Sequence, residues 1–370
     1  MPINTVFELA AMVDERDPAL DTAETLLLIP DLFHHWLCGS RTSEYTNATT
    51  TQCLDARAGG WATDLLERLD VPLRLLPEIV TPGTPLGPLA VAAAAATGIE
   101  SATVVAAATH DTASAVAAIP LRGPGSLYLS IGTWSLVGVE THEPLIDDKA
   151  FAANLTNEGG VAGTVRMLRN VTGLWLLHEC RRTWALEGVE HSFDEMIALA
   201  GSSPPLRSLI DPDDAAFALP GDMPARVDDF CARTGQLPPG DPGAVVRCIL
   251  ESIALKHADV VRTLGAVTGR EPTELHIVGG GVRNKLLCAW TAEAAGLPVL
   301  AGPEEATLFG NCLVQAMALG EISSLAEARE VVKRSVTPTT YEPADAPEWR
   351  EARARFAQIT EARSELEVNA

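Results

Sequence analysis

Residues 103–120 read TVVAAATHDTASAVAAIP: a short apolar run, a polar cluster, then an alanine-rich segment. The apolar run has the length and β-branched content of a buried strand, and the residues from Asp111 onward are helix formers. Strand, polar turn and helix in that order predict a β–α unit of a parallel sheet. Ligands of open α/β sheets bind at the carboxyl ends of the strands, which is where Thr109, His110, Asp111 and Thr112 fall. Two roles stand open for Asp111. Aspartate is a preferred helix N-cap, and a carboxylate grouped with a histidine and two threonines can also orient a reacting hydroxyl.

Outward from this stretch the chain keeps alternating. Upstream, Asp21 with Glu24 three residues later, followed by TLLLIPDLFHHWLCG, predicts a capped helix ending at Gly39 and kinked or interrupted at Pro30. EYTNATTTQCLD predicts a loop or short strand before the helical WATDLLERLD, and AVAAAAATGI predicts a helix. Downstream, LRGPGS is a Gly/Pro-rich hinge and marks a domain boundary, giving domains over 1–121 and 122–370. SLYLSIGTWSLVGVE predicts two strands about a turn at Gly132, and LHIVGGG predicts a strand entering a glycine turn. Helices are predicted for TGLWLLHECRRTWAL, for SFDEMIALAG with Ser192 and Glu195 as a capping box, for GAVVRCILESIALKHADVVRTLG, and for a charged surface segment at the C-terminus. The fold class is α/β.

With 370 residues, 47% hydrophobic and 21% charged, the chain has the composition of a folded two-domain protein. A net charge of −22 repels phosphate backbones and anionic membranes, so nucleic acid and membrane surfaces are not expected partners. A nucleotide remains compatible, because backbone N–H groups and one Mg²⁺ can hold its phosphates. Seven widely spaced cysteines without a C-x-x-C pair indicate neither a zinc site nor a disulfide framework and fit a reducing compartment. MPINTVFELAAMVDERD lacks the basic start of a signal peptide, and a cytoplasmic location is expected.

Two glycine turns after strands, SIGTWS (130–135) and IVGGGVRN (277–284), let backbone approach a phosphate, although glycine marks any tight turn. NLTNEGG (154–160) and RNVTGLWL from Arg169 offer amides and a guanidinium to a polyol, or simply turn chemistry. Trp36, Trp134 and Trp175 are core residues or stacking platforms.

Taken together, IPDLFHHWLCG, EYTNATTTQ, THDTASAV, SIGTWSL, TNEGGV, RNVTGLWLL, RSLIDPDD, PGDMP, RCILESIALK, IVGGGVRN, VLAGPEEAT and GN resemble, in order and spacing, the FGGY family of carbohydrate kinases. THDTASAV with GTWSLVGVE sets the chain apart from that family's glycerol, xylulose and gluconate kinases. The resemblance implies two actin-like (ribonuclease-H-like) domains with ATP and sugar between them. It implies phosphorylation of the ketose L-rhamnulose at a primary hydroxyl, with ATP and Mg²⁺.

Carried over by motif, His110, Asp111, Thr112 and Asn170 contact the ketose. Asp111 is the proton acceptor and faces the metal through water. Thr133, Gly279, Gly280 and Gly281 contact ATP, and His178 stands where the family carries Gln. The family's Asp-x-Gly-x-[ST] phosphate loop has no counterpart near the start of this sequence. On that ground the first domain is expected to be incomplete, and a binding protein without turnover is the alternative expectation.

Overall fold

A computed structural model describes residues 3–344 and 346–368. The chain forms two compact units. The first comprises 1–120, 140–167 and 306–335, and the second comprises 121–139, 168–305 and 336–370. Segments assigned by sequence to the domain after residue 121 therefore pack with the first 120 residues. Among the described residues, no helix is long and apolar enough to cross a membrane.

In the first unit, Val6, Leu9, Leu20, Leu66 and Leu75 form one buried cluster. The expected single helix from Asp21 to Gly39 is two pieces, Ala19–Thr22 and Ile29–Cys38. Of the two outcomes expected at Pro30 the structure shows an interruption and no kink: Pro30 sits in the first turn of the second piece, where its missing N–H costs nothing. Gly39 closes that helix in the left-handed region with φ 78. EYTNATTTQCLD is helical at its centre, where Tyr45–Ala48 runs into the 3₁₀ turn Thr49–Thr51, and the expected short strand appears only as two-residue pieces at its ends, Ser43–Glu44 and Leu54–Asp55.

The strand Thr103–Ala106 is present, but its partner is the preceding strand Thr84–Pro88, antiparallel, so this β–α unit is not part of a parallel sheet. Asp111–Ala117 is a short helix whose residues from Thr112 onward are all buried. Its small side chains have a packing reason. A Cβ on Gly310, in the helix Ala306–Ala318, would lie 1.7 Å from the Ser114 carbonyl oxygen, so the two backbones touch with no room for side chains.

Within the second unit the strand order follows Thr339–Tyr341, Val299–Ala301, Glu274–Val278 and Ser126–Ile131. Glu274–Val278 is buried throughout and runs parallel to Ser126–Ile131, with Val278 opposite Ser130. Burial on both faces covers Leu275, Ile277 and Val278, and the two polar residues of the strand, Glu274 and His276, pair with each other at 3.0 Å. The long helix Pro242–Thr268 begins at Asp241, whose carboxylate accepts from the Ala244 N–H at 2.9 Å. The capping box of Phe193–Ser202 forms as expected, Ser192 and Glu195 satisfying each other's backbone N–H. The C-terminal helix Pro347–Val368 is not wholly a surface helix, because Trp349, Ala352 and Phe356 are buried.

Candidate functional site

In the first unit the chain leaves Ala106, turns through Thr109 and His110, and enters the helix at Asp111. His110, not Asp111, holds the N-cap position, with φ −72 and ψ 114, and its side chain makes no capping bond. Asp111 is thus the first helical residue, where the positive end of the helix favours a carboxylate. Its side chain is 77% exposed. Oδ1 accepts from the Thr112 N–H at 2.6 Å and from the Thr112 hydroxyl at 3.2 Å. Among the described residues Oδ2 accepts no hydrogen bond, so one carboxylate oxygen is fixed and the other faces outward. Thr307 donates its hydroxyl to the Asp111 carbonyl at 3.3 Å.

A buried acid shapes the loop before Asp111. Glu44, fully buried, accepts at Oε2 from the Thr109 N–H (2.9 Å), the Thr109 hydroxyl (2.8 Å) and the Thr46 hydroxyl (2.5 Å). Oε1 accepts from the Thr46 N–H at 2.9 Å. The Thr46 hydroxyl oxygen in turn accepts from the His110 N–H at 3.2 Å. Behind Glu44 stands Asp31, also fully buried, accepting from the Glu44 N–H and the Ser43 hydroxyl, each at 3.1 Å. Burial pushes the Asp31 carboxyl up to about 6, against the pull of these hydrogen bonds.

The His110 ring packs on a second buried acid and a buried base. Nδ1 is 3.3 Å from Glu158 Oε2 and 2.9 Å from Arg166 Nη2, and Nε2 is 3.7 Å from Asp111 Oδ1. Arg166 has no exposed surface; Nε donates to the Gly159 carbonyl at 2.9 Å and Nη2 to Glu158 at 3.1 Å. Burial raises the Glu158 carboxyl, but opposing contacts, the Arg166 charge and hydrogen bond among them, hold the group below the ordinary carboxylate range. Of the NLTNEGG amides, Asn157 is committed to the Leu145 backbone through both its oxygen and its nitrogen, each at 3.0 Å.

In the second unit the two glycine turns leave the same end of two paired parallel strands. Gly279 (φ 83) follows Val278, and a Cβ there would stand 3.1 Å from the Ile131 carbonyl oxygen. A Cβ on Gly281 would stand 2.3 Å from Ile131 Cβ. Glycine is required at both, so that the IVGGG turn can close on the end of the strand that carries the GTW turn. Gly280 has open space around its Cβ position. Asn284 then caps the helix Lys285–Ala295, accepting from the Leu287 N–H at 3.0 Å.

The exposed Thr133 turn is itself pinned: its carbonyl accepts from Gly173 and Trp175, each at 3.1 Å. Asn170 lies half-buried on the strand Val165–Thr172, beside Arg169. The Arg169 guanidinium stands 3.7 Å from Asp213, which also binds the buried Lys256 at 3.1 Å and accepts from the Thr172 N–H at 2.8 Å. Arg169 is thereby engaged within the protein. His178 sits on the helix Trp175–Leu186 with its ring edge against Phe193, centroids 4.9 Å apart. Trp175 is likewise occupied, donating to the Phe217 carbonyl at 3.0 Å, whereas Trp36 and Trp134 are 59% and 43% exposed.

The structure thus groups His110, Asp111 and Thr112 in one unit, and the turns of Thr133 and Gly279 to Gly281 in the other. Glu44, Glu158 and Arg166 went unassigned from sequence. EYTNATTTQ and TNEGGV carried two of them within quoted motifs, but only burial and pairing reveal what they hold.

Residues 1–118 match the N-terminal domain, and residues 127–319 the C-terminal domain, of the FGGY family of carbohydrate kinases. The chain is similar to the rhamnulokinase of Bacteroides thetaiotaomicron, 42% identical over 356 residues that cover 96% of this chain and 73% of that protein. It is similar to the rhamnulokinase of Pectobacterium carotovorum, 41% identical over 93% of this chain and 67% of the relative. Among solved structures, a ligand-bound xylulose kinase from Lactobacillus acidophilus superposes with a TM-score of 0.78 at 18% identity, covering 99% of this chain and 73% of the other. Glycerol kinase from Plasmodium falciparum with ADP gives 0.73 at 14% identity, covering 96% and 71%. These two likenesses establish the fold, that of the actin-like sugar kinases.

Proposed function

The chain belongs to the FGGY family of carbohydrate kinases, and from that premise we propose that it transfers the γ-phosphoryl group of ATP to the primary hydroxyl of L-rhamnulose, giving L-rhamnulose 1-phosphate and ADP. The observation that carries the reading is Asp111. It is an exposed carboxylate at a helix start, with one oxygen tied to Thr112 and the other open to a substrate hydroxyl. The two relatives named rhamnulokinase support the choice of ketose.

Phosphoryl transfer asks little covalent work of a protein, so the residues act by placement. Asp111 accepts a hydrogen bond from the hydroxyl, aligns its oxygen with the phosphorus, and takes its proton as the new bond forms. A carboxylate is a weak base, which suffices when proton transfer is late and orientation is the main contribution. His110, Thr112 and Asn170 hold further oxygens of the sugar. The backbone of the Thr133 turn and of Gly279 to Gly281 lies against ATP, glycine keeping that surface free of side chains. His178 presents a ring nitrogen where an amide is usual in the family.

Mg²⁺ in such reactions is held by one or two carboxylates together with the phosphates of the nucleotide. A single exposed carboxylate fits that demand, and Asp111 would hold the ion through water. When bound, the ion neutralises phosphate charge. We place the protein in the cytoplasm, a reading supported by seven free cysteines.

The test is ADP release with Mg-ATP and L-rhamnulose, with ³¹P detection of the phosphomonoester. Turnover dependent on the ketose is the expected result. ATP binding by calorimetry without ketose-dependent turnover favours a nucleotide-binding protein instead.

A further inference from the structure

His110 approaches Arg166 at a distance that fixes where its proton must be. A guanidinium has five N–H donors and no acceptor, and it stays charged in proteins. Its Nη2 lies 2.9 Å from His110 Nδ1 and 3.1 Å from Glu158 Oε2, so each of the two Nη2 hydrogens has one acceptor. If Nδ1 carried a hydrogen, two donors would face each other at 2.9 Å in a buried place. The rival contact, Nδ1 donating to Glu158, is longer at 3.3 Å and demands that clash.

We infer that Arg166, held in place by Glu158 and the Gly159 carbonyl, is a positioning residue that locks His110 as the neutral tautomer with its proton on Nε2. The inference rests on the sugar-kinase reading only for what Nε2 meets. That nitrogen points to the Asp111 side, 3.7 Å from Oδ1. His110 then presents a donor and Asp111 an acceptor, so the pair recognises a ketose oxygen lone pair next to a hydroxyl proton. With Nδ1 accepting from Arg166, the hydrogen on Nε2 lies on the Asp111 side, and Asp111 keeps its free oxygen for the hydroxyl. Glu158 serves a different end: it balances the charge of a guanidinium with no exposed surface. Nη1 of Arg166 is buried without a hydrogen-bond partner among the described residues, so Glu158 is the counter-charge in contact with this arginine.

The experiment is ¹⁵N-detected NMR of the histidine side chains in the full chain at neutral pH, with the His110 signals assigned by their loss in His110→Gln. Nδ1 in the unprotonated range and Nε2 in the protonated range is the expected pattern. The reverse pattern, or two protonated nitrogens, overturns the inference. Addition of L-rhamnulose should shift the Nε2 signal. A histidine with the expected tautomer that ignores the ketose would instead defeat the substrate assignment and leave the tautomer standing. As a second measurement, Arg166→Met should raise the KM for ketose roughly tenfold and leave the KM for ATP alone, the scale of one lost hydrogen bond, with partial rescue in Arg166→Lys. Loss of active protein with both KM values unchanged would reduce Arg166 to a structural role.

Discussion

Replacing Gly310 by alanine sets two physical effects against each other. Gly310 lies inside the helix Ala306–Ala318, so propensity alone predicts a gain of up to about 1 kcal/mol from the change. Packing predicts the opposite. The new Cβ would meet backbone, not a side chain: Ser114 O at 1.7 Å, Ser114 C at 2.5 Å and Ser114 Cα at 3.0 Å. Ordinary contact begins near 3.4 Å, so relief requires the two helices to part by more than an ångström, and no rotamer change can supply it.

Overpacking of this kind costs about 3 kcal/mol at the upper end of its usual range. Net of propensity, about 2 to 3 kcal/mol should be lost, which lowers the melting temperature by roughly 4–12 °C for a domain of this size. Because Asp111 starts the displaced helix, kcat should fall as well, by on the order of 10² for a misplacement of an ångström. Thermal unfolding followed by circular dichroism and the ADP-release assay read both effects. Gly60→Ala, where the added Cβ meets nothing within 4 Å, is the control. A Gly310→Ala protein that melts at or above the parent temperature and turns over at the parent rate would refute the close-contact account.

Other substitutions test the remaining parts of the site. Asp111→Asn keeps the acceptor for the Thr112 N–H and alters an exposed group, so stability should change by less than about 1 kcal/mol while kcat falls by on the order of 10² to 10⁴; a parental kcat excludes Asp111 as the base. Gly281→Ala puts a Cβ 2.3 Å from Ile131 Cβ, and the turn must move, so the KM for ATP should rise by roughly tenfold or more with the KM for ketose unmoved. Steady-state kinetics with each substrate varied would expose the error if both constants stayed put. For Asp31, the folded state holds its proton more tightly than the unfolded chain does. Stability from this group is therefore present below the ordinary value of about 4 and is lost as pH rises through about 6, to a limit of about 3 kcal/mol. Urea titrations at several pH values should show that loss in the parent protein and not in Asp31→Asn; equal slopes in the two would count against a raised Asp31.

The parts of this structure legible in the sequence are those whose cause is local. The strand Glu274–Val278 announces itself by LHIV running into a glycine turn, Ser192 with Glu195 by reciprocal caps, and THDT by standing where apolar residues give way to helix formers. Where local rules compete, the reading errs. Pro30 is compatible with a kink or with a first turn, and only the irregular segment before Ile29 decides between them. Thr103–Ala106 has the apolar character of a parallel strand, but it pairs with Thr84–Pro88 upstream, a choice that depends on which chain lies beside it.

The polar network behind His110 was illegible for a similar reason. Glu158 and Arg166 are eight residues apart in sequence and 48 or more from His110, and a charge in a quoted motif reads as solvated until burial is known. Resemblance implied the contacts proposed for the reaction, but not the residues that pack behind them.

The discontinuity of the two units has a consequence for how the protein is made. The chain passes between units after residues 120, 139, 167, 305 and 335, so no single cut releases either one whole. On the ribosome, the segment bearing Asp111 emerges 196 residues before Thr307, in the first turn of the helix it packs against. At roughly 5–20 residues per second, that is a wait of roughly 10 to 40 s with an alanine-lined helix face uncovered. The first unit can close only late in synthesis, and it is then that Asp111 acquires a fixed position.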